Sequence, residues 1–286
     1  KSTLAKCIID SIAELNPDVL MNIYNFNFEL TSNQTASRTI VTEADISLRE
    51  LYSADEALTP EKFSLLKKYY KKLAERDNYF FIDVPSDPAT IVNSMWDYYI
   101  KDCKPAGKMI VTCIDHTLLM KDKTGKGDKS KIDELMNLLI AFKKNVDNDG
   151  GNSVTIVLSQ MNRDIYSKER ILNNSMHRPK ASDLHSSGSI EFASDYILFS
   201  HAPGKLNLPS YTEKNYPTFY NIDGKTKFMI YFELIKNRSG EAPVTIPMLN
   251  HLNRFDMDEM SLGSFNDMCK EFRELGVCEY KKTMFL

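Results

Sequence analysis

Short, almost uniformly apolar segments alternate with helical patterns along this chain, and this alternation limits the folds that it can adopt. The apolar segments cover residues 19–28, 79–84, 108–114, 154–158, 196–199 and 227–235. Helical spacing of apolar residues is found at 2–13, 31–51, 59–77, 89–102 and 130–146. Strands that lack polar alternation are buried on both faces, as in a parallel sheet that helices cover on each side. The sequence therefore predicts one α/β domain with a mostly parallel sheet and helices on both faces.

The composition excludes several other classes of protein. The chain has 286 residues, of which 42% are apolar and 26% are charged. This balance is typical of a globular domain and excludes a disordered tail, a collagen-like fibre and a small disulfide scaffold. No apolar run approaches the roughly 20 residues that cross a bilayer, so the sequence predicts no membrane span.

The cysteines, the histidines and the net charge exclude further kinds of site. The five cysteines contain no CxxC pair, and the five histidines are dispersed along the chain. This dispersal argues against a zinc site and favours reduced thiols. The net charge of −3 indicates no generally basic surface for nucleic acid, although a protein that makes only a few phosphate contacts per subunit remains compatible with it.

Three irregular segments stand outside the alternating pattern. Residues 121–131 (KDKTGKGDKSK) form a basic loop directly after the third apolar segment. Residues 204–225 are rich in Pro, Asn, Tyr and Gly, which predicts a long surface loop. From residue 251 the chain becomes acidic and Met-rich and then basic, which indicates a C-terminal extension or a docking segment over 251–286. The main domain is therefore predicted to cover residues 1–250.

The chain opens on Lys1, Ser2 and Thr3, directly before an amphipathic helix. These are the last residues of a phosphate-binding loop, G-x-x-x-x-G-K-[ST], if the glycines precede Lys1. Such a loop needs a lysine at the phosphates, a hydroxyl on Mg²⁺ and a helix N-terminus directed at the anion. Any exposed N-terminus can have this sequence by chance, so the interpretation depends on the rest of the chain.

Polar residues follow three of the predicted strands. Glu29 follows the first apolar segment, Asp115 the third and Gln160 the fourth. The carboxyl ends of parallel strands are where ligands bind in open α/β sheets. An aspartate there can hold Mg²⁺ through water, a glutamate can activate a water molecule as a general base, and an amide can sense a γ-phosphate. Each residue alone is equally explained as a strand end, a cap or a surface group.

Lys236 and Arg238 lie two residues apart after the last apolar segment, in the sequence IKNRSG. On an extended chain, side chains two residues apart point the same way. Such a pair can reach a neighbouring subunit and stabilise charge on a transferred phosphoryl group, as an arginine finger does. The alternative is an ordinary solvated basic turn.

Taken in order, these segments resemble the RecA-like ATPase domain of DnaB-type hexameric replicative helicases. The resemblance depends on KST at the start, FNFEL at 26–30, IVTCIDHTLLM at 110–120 and KNRSG at 236–240. It depends most on LSQMNR at 158–163 and RPKASDLHSSGSIEFASDYILF at 178–199. The resemblance covers residues 1–250 and implies a RecA-like P-loop NTPase core whose cofactors are ATP and Mg²⁺.

The resemblance implies a role for each site residue around the nucleotide. Lys1, Ser2 and Thr3 would contact the nucleotide, and Ser2 would supply the hydroxyl for Mg²⁺. Asp115 would hold Mg²⁺ through water, and Glu29 would activate the attacking water.

The resemblance also implies roles away from that group of residues. Gln160 would link the state of the nucleotide to loops that face the DNA. Lys236 and Arg238 would act on the γ-phosphate bound by the neighbouring subunit.

The same resemblance implies contacts with single-stranded DNA in the channel of a ring. The loop with His185, Ser187 and Gly188 would face that channel. Lys126 and Lys129 of the basic loop are further candidates, because flexible basic loops suit contacts with phosphates that do not depend on sequence. An ordinary solvated charged loop explains these two lysines equally well.

The chain departs from the family pattern at two places. His185 and Ser186 stand where the family usually has Arg and Glu, and His116 and Leu118 stand where an aromatic residue and an amide usually follow the Mg²⁺ aspartate. These departures fit a divergent, phage-type member. They equally fit a relative that kept the ATPase and lost unwinding. We also expect the natural chain to extend upstream of Lys1, because the first strand and the glycines of the loop are not in this sequence.

The expected function is that of an ATP-dependent replicative DNA helicase motor of the 5′–3′ type. It would translocate on single-stranded DNA as a homo-oligomeric, hexameric ring, with a primase and a helicase loader as partners and no membrane contact. It would work in the cytoplasm of a bacterium or a phage-infected cell. The alternatives are a RecA-class ring ATPase without unwinding activity and an inactive ring scaffold for a primase or loader.

Overall fold

A computed structural model describes residues 2–53, 58–123, 125, 127–185, 187–222, 224–251 and 255–284. The chain divides into two units. The first comprises Lys1–Gln160, Gly188–Ala193 and Leu252–Asp256, and the second comprises Met161–Ser187, Ser194–His251 and Met257–Leu286. The domain boundary expected at residue 250 stays a prediction. Within the described ranges, no helix combines the length and the apolar character that crossing a bilayer requires.

The sheet of the first unit has the strand order β2-β1-β3-β4 and is parallel throughout. Its strands are β1 (Met21–Asn27), β2 (Tyr79–Ile82), β3 (Met109–Asp115) and β4 (Ser153–Leu158). All four coincide with predicted apolar segments to within about two residues at each end, so this part of the prediction is confirmed. Because the strands are parallel, their carboxyl ends meet at one edge of the sheet.

Helices cover both faces of this sheet, as predicted. Ile23 of β1 packs in one cluster with Ala5 and Ile9 of the first helix. The next residue, Tyr24, points to the opposite face and stacks on Tyr98 at a ring-centroid distance of 4.4 Å. The helices of this unit are α1 (Ser2–Leu15), α2 (Ser32–Glu43), α3 (Leu48–Tyr52), α4 (Pro60–Ala74), α5 (Pro88–Tyr98) and α6 (Asp128–Asn148).

The helix predicted over residues 31–51 is wrong in its extent, because two helices lie there. The backbone of Asp45 has a φ of 54°, which a continuing helix cannot accommodate. Ser47 then starts α3 with a capping box to Glu50. The start predicted at Thr59 is confirmed, because its side chain accepts a hydrogen bond from the backbone N–H of Lys62.

The second unit contains an antiparallel sheet with the order β10-β9-β8-β5. Its strands are β5 (Tyr196–His201), β8 (Ile230–Asn237), β9 (Val244–His251) and β10 (Asp256–Glu259), beside a hairpin of β6 (Phe219–Ile222) and β7 (Lys225–Phe228). The expectation that the segments at 196–199 and 227–235 would complete the parallel sheet is therefore wrong. The connection from β8 to β9 is too short for a crossover helix, which leaves only antiparallel pairing.

The segment at 204–225 is not the surface loop that its composition predicts. Leu208, Tyr211 and Thr218 are almost fully buried, and the segment contains β6. Tyr211 packs with Phe265 of α9 (Leu262–Met284) in the core of the second unit. The turn-forming residues therefore mark bends inside a packed structure. The segment can be buried because its tyrosine rings supply apolar area while their hydroxyls remain hydrogen-bonded.

Two histidines lie stacked and buried in the second unit. Nδ1 of His177 lies 3.2 Å from Nε2 of His201, and both rings are buried. The groups that face them are Arg170, Asp183 and Tyr211. Burial, with the neighbouring His177 and Arg170, lowers the pKa of His201 to about 3. Burial also lowers the pKa of His177, so both rings are neutral at neutral pH.

We expect this unit to lose stability in mild acid. The folded-state pKa of His201 lies below that of an unfolded histidine, so the unfolded chain binds more protons between about pH 3 and pH 6.5. Stability is complete above that range and falls as the pH falls, by roughly 2 kcal/mol at pH 5. Urea unfolding at pH 7.5 and pH 5 measures this difference. The difference in the free energy of unfolding between the two pH values should be smaller in His201→Gln than in the wild type. An equal difference in both proteins would contradict the role of this histidine.

Candidate functional site

A pocket opens at the carboxyl edge of the parallel sheet in the first unit. Polar and apolar side chains line it together. The polar ones include Ser2, Thr3, Lys6, Asn25, Asn27, Thr35, Arg38 and Asp115. Asn27 and Asp115 are paired neighbours at the ends of β1 and β3. The structure therefore brings the start of α1 and Asp115 together in one pocket.

Asp115 is the central acidic group of this pocket. It is only 3% exposed, and its Oδ1 has no hydrogen-bond partner among the described residues. Its backbone carbonyl accepts a hydrogen bond from the N–H of Phe28 at 2.7 Å, which ties the end of β3 to the end of β1. A buried carboxylate oxygen without a partner is costly unless a cation or a donor completes it. The donor set therefore fits a hard divalent cation such as Mg²⁺.

The N-terminus of α1 forms the opposite wall. Ser2 and Thr3 are its first residues and line the pocket. The first N–H groups of a helix have no partner within the helix and carry partial positive charge, which favours anions. Lys6, one turn later, forms an ion pair with Asp10 at 2.9 Å. The pocket therefore combines an anion-binding helix end with an incompletely partnered carboxylate. Lys1 lies outside the described residues.

Asn27 shapes the turn that carries Glu29. Its Oδ1 accepts hydrogen bonds from the backbone N–H groups of Glu29 at 3.2 Å and Leu30 at 2.9 Å. Its Nδ2 donates to Thr35 at 3.3 Å, in α2. Glu29 itself is exposed just beyond β1 and does not line the pocket. The structure therefore places Glu29 at the expected edge of the sheet, on a turn that a buried asparagine organises.

Gln160 lies at the same edge, two residues after β4. The end of β4 pairs with Asp115 through Leu158. Gln160 is exposed, while the adjacent Ser159 has a buried hydroxyl without a partner among the described residues. Three predicted residues, Glu29, Asp115 and Gln160, therefore follow three neighbouring strands at one edge.

Two titratable groups of the pocket wall are neutral. Burial, with a smaller effect of Asp115, raises the pKa of the Cys113 thiol far above its usual range. Burial, with the nearby Asp10, also raises the pKa of the Tyr79 hydroxyl. Neither group therefore supplies a nucleophile or a base at neutral pH.

Lys236 and Arg238 belong to the second unit. Lys236 lies within β8, and Arg238 is the first residue after it. The backbone N–H of Arg238 donates to the carbonyl of Asp195 at 3.0 Å, and its guanidinium forms an ion pair with the Asp195 carboxylate at 2.6 Å. The Arg238 side chain is still 62% exposed. It is therefore anchored at the end of a strand and accessible to another molecule.

The basic loop after β3 has an internal organisation. The Asp122 carboxylate accepts hydrogen bonds from the backbone N–H groups of Gly125 at 2.8 Å and Gly127 at 2.7 Å. Lys131 is buried and donates to the carbonyls of Leu118 and Met120. Lysines of this loop therefore have different roles.

Lys123 is a second lysine of this loop with a structural role, because it forms an ion pair with Asp87 at 2.6 Å. Lys129 is exposed on the first turn of α6. Lys126 lies outside the described residues.

The predicted DNA-facing loop begins at His185, which is partly buried, and continues into α8 (Ser187–Ala193). Ser187 is the first residue of that helix. Gly188 is exposed, and a Cβ added there would meet no atom within 4 Å. The open space at Gly188 leaves its backbone accessible.

Sequence reasoning missed several polar residues that support these segments. Arg170 and Asp183 form a buried ion pair, and Arg178 forms another with the fully buried Glu233. Asn25 and Asn27 in the pocket were missed as well. The sequence could have pointed to two of these residues, because Arg178 and Asp183 are part of the motif RPKASDL, which matches the family.

Solved structures share this fold. A solved ATPase domain has a TM-score of 0.69 and 18% identity, with 91% of this chain and 81% of that chain covered. A DnaB-like replicative helicase, solved with its interactions with primase, has a TM-score of 0.62 and 17% identity, with 86% of this chain and 52% of that chain covered. The predicted RecA-like α/β core is therefore confirmed.

Sequence comparisons lead to the same group of proteins. The replicative DNA helicase DnaB of Geobacillus stearothermophilus is 22% identical over 237 residues, which is 82% of this chain and 45% of that protein. The chain thus spans about half the length of this relative. The family model for the DnaB-like helicase C terminal domain matches residues 1–257. The resemblance seen in the motifs is confirmed, and the chain belongs to the DnaB-like helicase C terminal domain family.

Proposed function

We propose that this chain is the ATP-hydrolysing motor domain of a replicative DNA helicase. The observation that carries the proposal is the Asp115 carboxylate. It is buried at the carboxyl edge of the sheet, with an oxygen that has no partner among the described residues, in one pocket with the first residues of α1. An Mg²⁺–nucleoside triphosphate needs this combination of a hard cation ligand and an anion-binding helix end.

The residues in and around the pocket have separate tasks in this proposal. The start of α1, with Ser2 and Thr3, holds the phosphates, and Lys1 neutralises them. Ser2 and Asp115 hold Mg²⁺, which neutralises phosphate charge when bound. Glu29, on the turn that Asn27 organises, accepts the proton of the attacking water.

The proposal places hydrolysis between subunits of a homo-oligomeric ring, with six subunits. Arg238, anchored but exposed at the end of β8, and Lys236 contact the γ-phosphate bound by the next subunit. Gln160 transmits the state of the nucleotide to the segment with His185, Ser187 and Gly188. That segment and the loop lysines Lys126 and Lys129 contact single-stranded DNA in the channel.

The family membership supports proposals about the wider setting. We infer 5′–3′ movement, a primase and a helicase loader as partners, and a place in the cytoplasm of a bacterial or phage-infected cell. The departures at His116, Leu118 and His185 fit a divergent member of the kind that phages encode.

A RecA-class ring ATPase that does not unwind duplex DNA is the second candidate. His185 favours it, because a histidine stands where the family usually has an arginine that contacts DNA. The presence of Glu29, Asp115 and Arg238 argues against an inactive scaffold, since each would be dispensable in one.

The test is ATP hydrolysis by the protein with and without single-stranded DNA, with Asp115→Asn as the variant. We expect hydrolysis to increase severalfold with DNA. Asp115→Asn should lower the affinity for Mg²⁺–ATP by roughly tenfold or more, and binding of ATP in EDTA should change little.

Hydrolysis that is indifferent to DNA would favour the second candidate. No hydrolysis at all would favour the scaffold. Equal Mg²⁺ dependence in wild type and variant would remove Asp115 from the metal site.

A further inference from the structure

Helix α4 has a face that no other described part of the first unit covers. It consists of Phe63, Lys67, Tyr70 and Lys71, which we call the basic aromatic face. We propose that this face binds single-stranded nucleic acid, with bases stacked on the two rings and phosphates held by the lysines. The site lies outside the nucleotide pocket and outside the segments assigned above to the DNA channel.

The helical spacing explains why this face points outward. Leu66, Tyr69 and Leu73 pack in a cluster with Ile40 and Val41 of α2. The residues of the basic aromatic face are spaced i, i+4, i+7 and i+8, so they form one stripe beside this inner face. The stripe is available because only the inner side of α4 is packed.

Lysines of α4 differ in whether a carboxylate lies nearby. Lys62 pairs with Glu50, and Lys72 lies within 3.7 Å of carboxylates of both Glu14 and Glu43. Lys67, by contrast, has no carboxylate within 4 Å among the described residues, and its Nζ lies 4.7 Å from the centroid of the Phe63 ring. Lys62 and Lys72 therefore have carboxylate partners, whereas Lys67 at the basic aromatic face has none among the described residues.

Lys71 is only weakly neutralised. It lies 3.7 Å from Glu75, and both side chains are largely exposed. An exposed pair at this distance is readily exchanged for another anion. In a chain whose net charge is −3, this face is a local cationic surface. Charge complementarity therefore selects a polyanion as its occupant.

The exposed rings of Phe63 and Tyr70 favour one class of polyanion, a nucleic acid with unpaired bases. Phe63 is 50% exposed and Tyr70 is 66% exposed, although exposure of a ring to water is unfavourable. They lie about 10 Å apart along the helix, at 1.5 Å per residue. Exposed aromatic rings between lysines are the arrangement that single-stranded nucleic acids use, because each base offers a face for stacking. An acidic peptide has no bases to stack, and in a duplex the base faces are already covered.

The affinity test measures binding of a fluorescent oligothymidylate without nucleotide. Phe63→Ala and Tyr70→Ala should each weaken binding by roughly fivefold or more. The matched variants Phe63→Trp and Tyr70→Trp keep a stacking surface and should bind like the wild type. An abasic oligonucleotide of equal length should bind the wild type as weakly as oligothymidylate binds the alanine variants.

The salt dependence of the affinity distinguishes the contribution of the lysines from that of the aromatic rings. Lys67→Gln should reduce the slope of log affinity against log salt by about 0.7. Lys143→Gln, which removes an exposed lysine from α6, is the control and should leave the slope unchanged. Basal ATP hydrolysis should be equal in all these variants, so failure of this proposal is distinguishable from failure of the proposed function.

Photo-crosslinking locates the contact directly. An oligonucleotide with 5-bromodeoxyuridine should crosslink to Phe63 or Tyr70 in ultraviolet light, as read by mass spectrometry of the peptide. Three outcomes would overturn the proposal: crosslinks only elsewhere, displacement by polyglutamate as effective as by oligothymidylate, or a changed oligomeric state in the alanine variants, which would make this face an interface between copies.

Discussion

Replacing Arg238 with alanine should reduce ATP turnover by a factor of roughly 10³ or more, while nucleotide binding stays nearly unchanged. A guanidinium that acts on a developing phosphoryl charge stabilises the transition state more than the ground state, so its loss lowers kcat rather than affinity. Turnover and ATP binding are measured separately on the same preparation. Unchanged turnover would contradict the assignment.

The geometry at the end of β8 explains why Arg238 can change partners. Its backbone is fixed by the hydrogen bond to the carbonyl of Asp195, and its exposed guanidinium pairs with the carboxylate of the same residue. An exposed ion pair contributes only about 0.2–1 kcal/mol. The guanidinium can therefore leave Asp195 for a phosphate at a small cost in free energy. The backbone of Arg238 stays in place, because its N–H remains bonded to the carbonyl of Asp195.

Two variants serve as controls for Arg238→Ala. Asp195→Asn removes the local partner and keeps the guanidinium, so turnover should remain within about fivefold of the wild type, since 1 kcal/mol corresponds to about that factor. Arg238→Lys keeps the charge and loses the planar fork, so it should restore only part of the activity.

Mixed rings test whether Arg238 acts on the neighbouring subunit. Arg238→Ala subunits and Asp115→Asn subunits should each be impaired alone. When mixed, some interfaces join an intact Asp115 to an intact Arg238 of the next subunit, and activity should partly return. No recovery would indicate that both residues act within one subunit.

The edge of the parallel sheet was predictable because local patterns determine it. Each buried strand is a short apolar run, and the residue after the run must lie at the carboxyl edge. Asp115 and Gln160 could thus be assigned to one edge from the sequence alone. The buried state of Asp115 and the role of Asn27 were not predictable, because they depend on how β1 and β3 pair.

The second unit was predicted poorly for a physical reason. Its strands β5 and β8 contain apolar runs like those of the first unit, and periodicity does not encode whether a neighbour is parallel or antiparallel. The segment at 204–225 contains turn-forming residues, yet Tyr211 donates a hydrogen bond to the buried Glu233 at 2.9 Å. Such long-range partners decide burial, and they are separated too far along the chain for a local pattern to reveal them.

The motif RPKASDL shows a different limit of sequence reasoning. Its match to a helicase family indicated the family but assigned no role to Arg178 or Asp183. Asp183 is 2% exposed and accepts hydrogen bonds from Arg170 and from the backbone N–H of Lys180. Arg178 contacts Glu233 and Thr245. Both motif residues therefore hold the segment in place within the second unit.

Replacing Arg170 with methionine should destabilise the second unit by about 3–5 kcal/mol, because Asp183 would keep a buried charge without its partner. The guanidinium of Arg170 forms two bonds to Asp183, at 2.6 and 2.9 Å, and also donates to the carbonyls of Met176 and Arg178. Arg170→Met therefore removes both the ion pair with Asp183 and the hydrogen bonds to these two backbone carbonyls. Hydrogen exchange over residues 163–185 measures the effect where it arises.

A double variant separates these two contributions. Arg170→Met with Asp183→Leu removes both buried charges, so it should be more stable than Arg170→Met alone. It should remain below the wild type, because the carbonyls of Met176 and Arg178 would lose their donor and the N–H of Lys180 its acceptor.

Lys143→Met supplies the matched control. It breaks an exposed pair with Asp147 on α6 and should change stability by no more than about 0.5 kcal/mol. A loss in Arg170→Met no larger than in Lys143→Met would show that the pair with Asp183 is not what stabilises this segment. If the large loss is found, the segment that leads to His185 depends on a buried ion pair. Under the proposed function, substitutions in RPKASDL would then reduce DNA binding without removing any DNA contact.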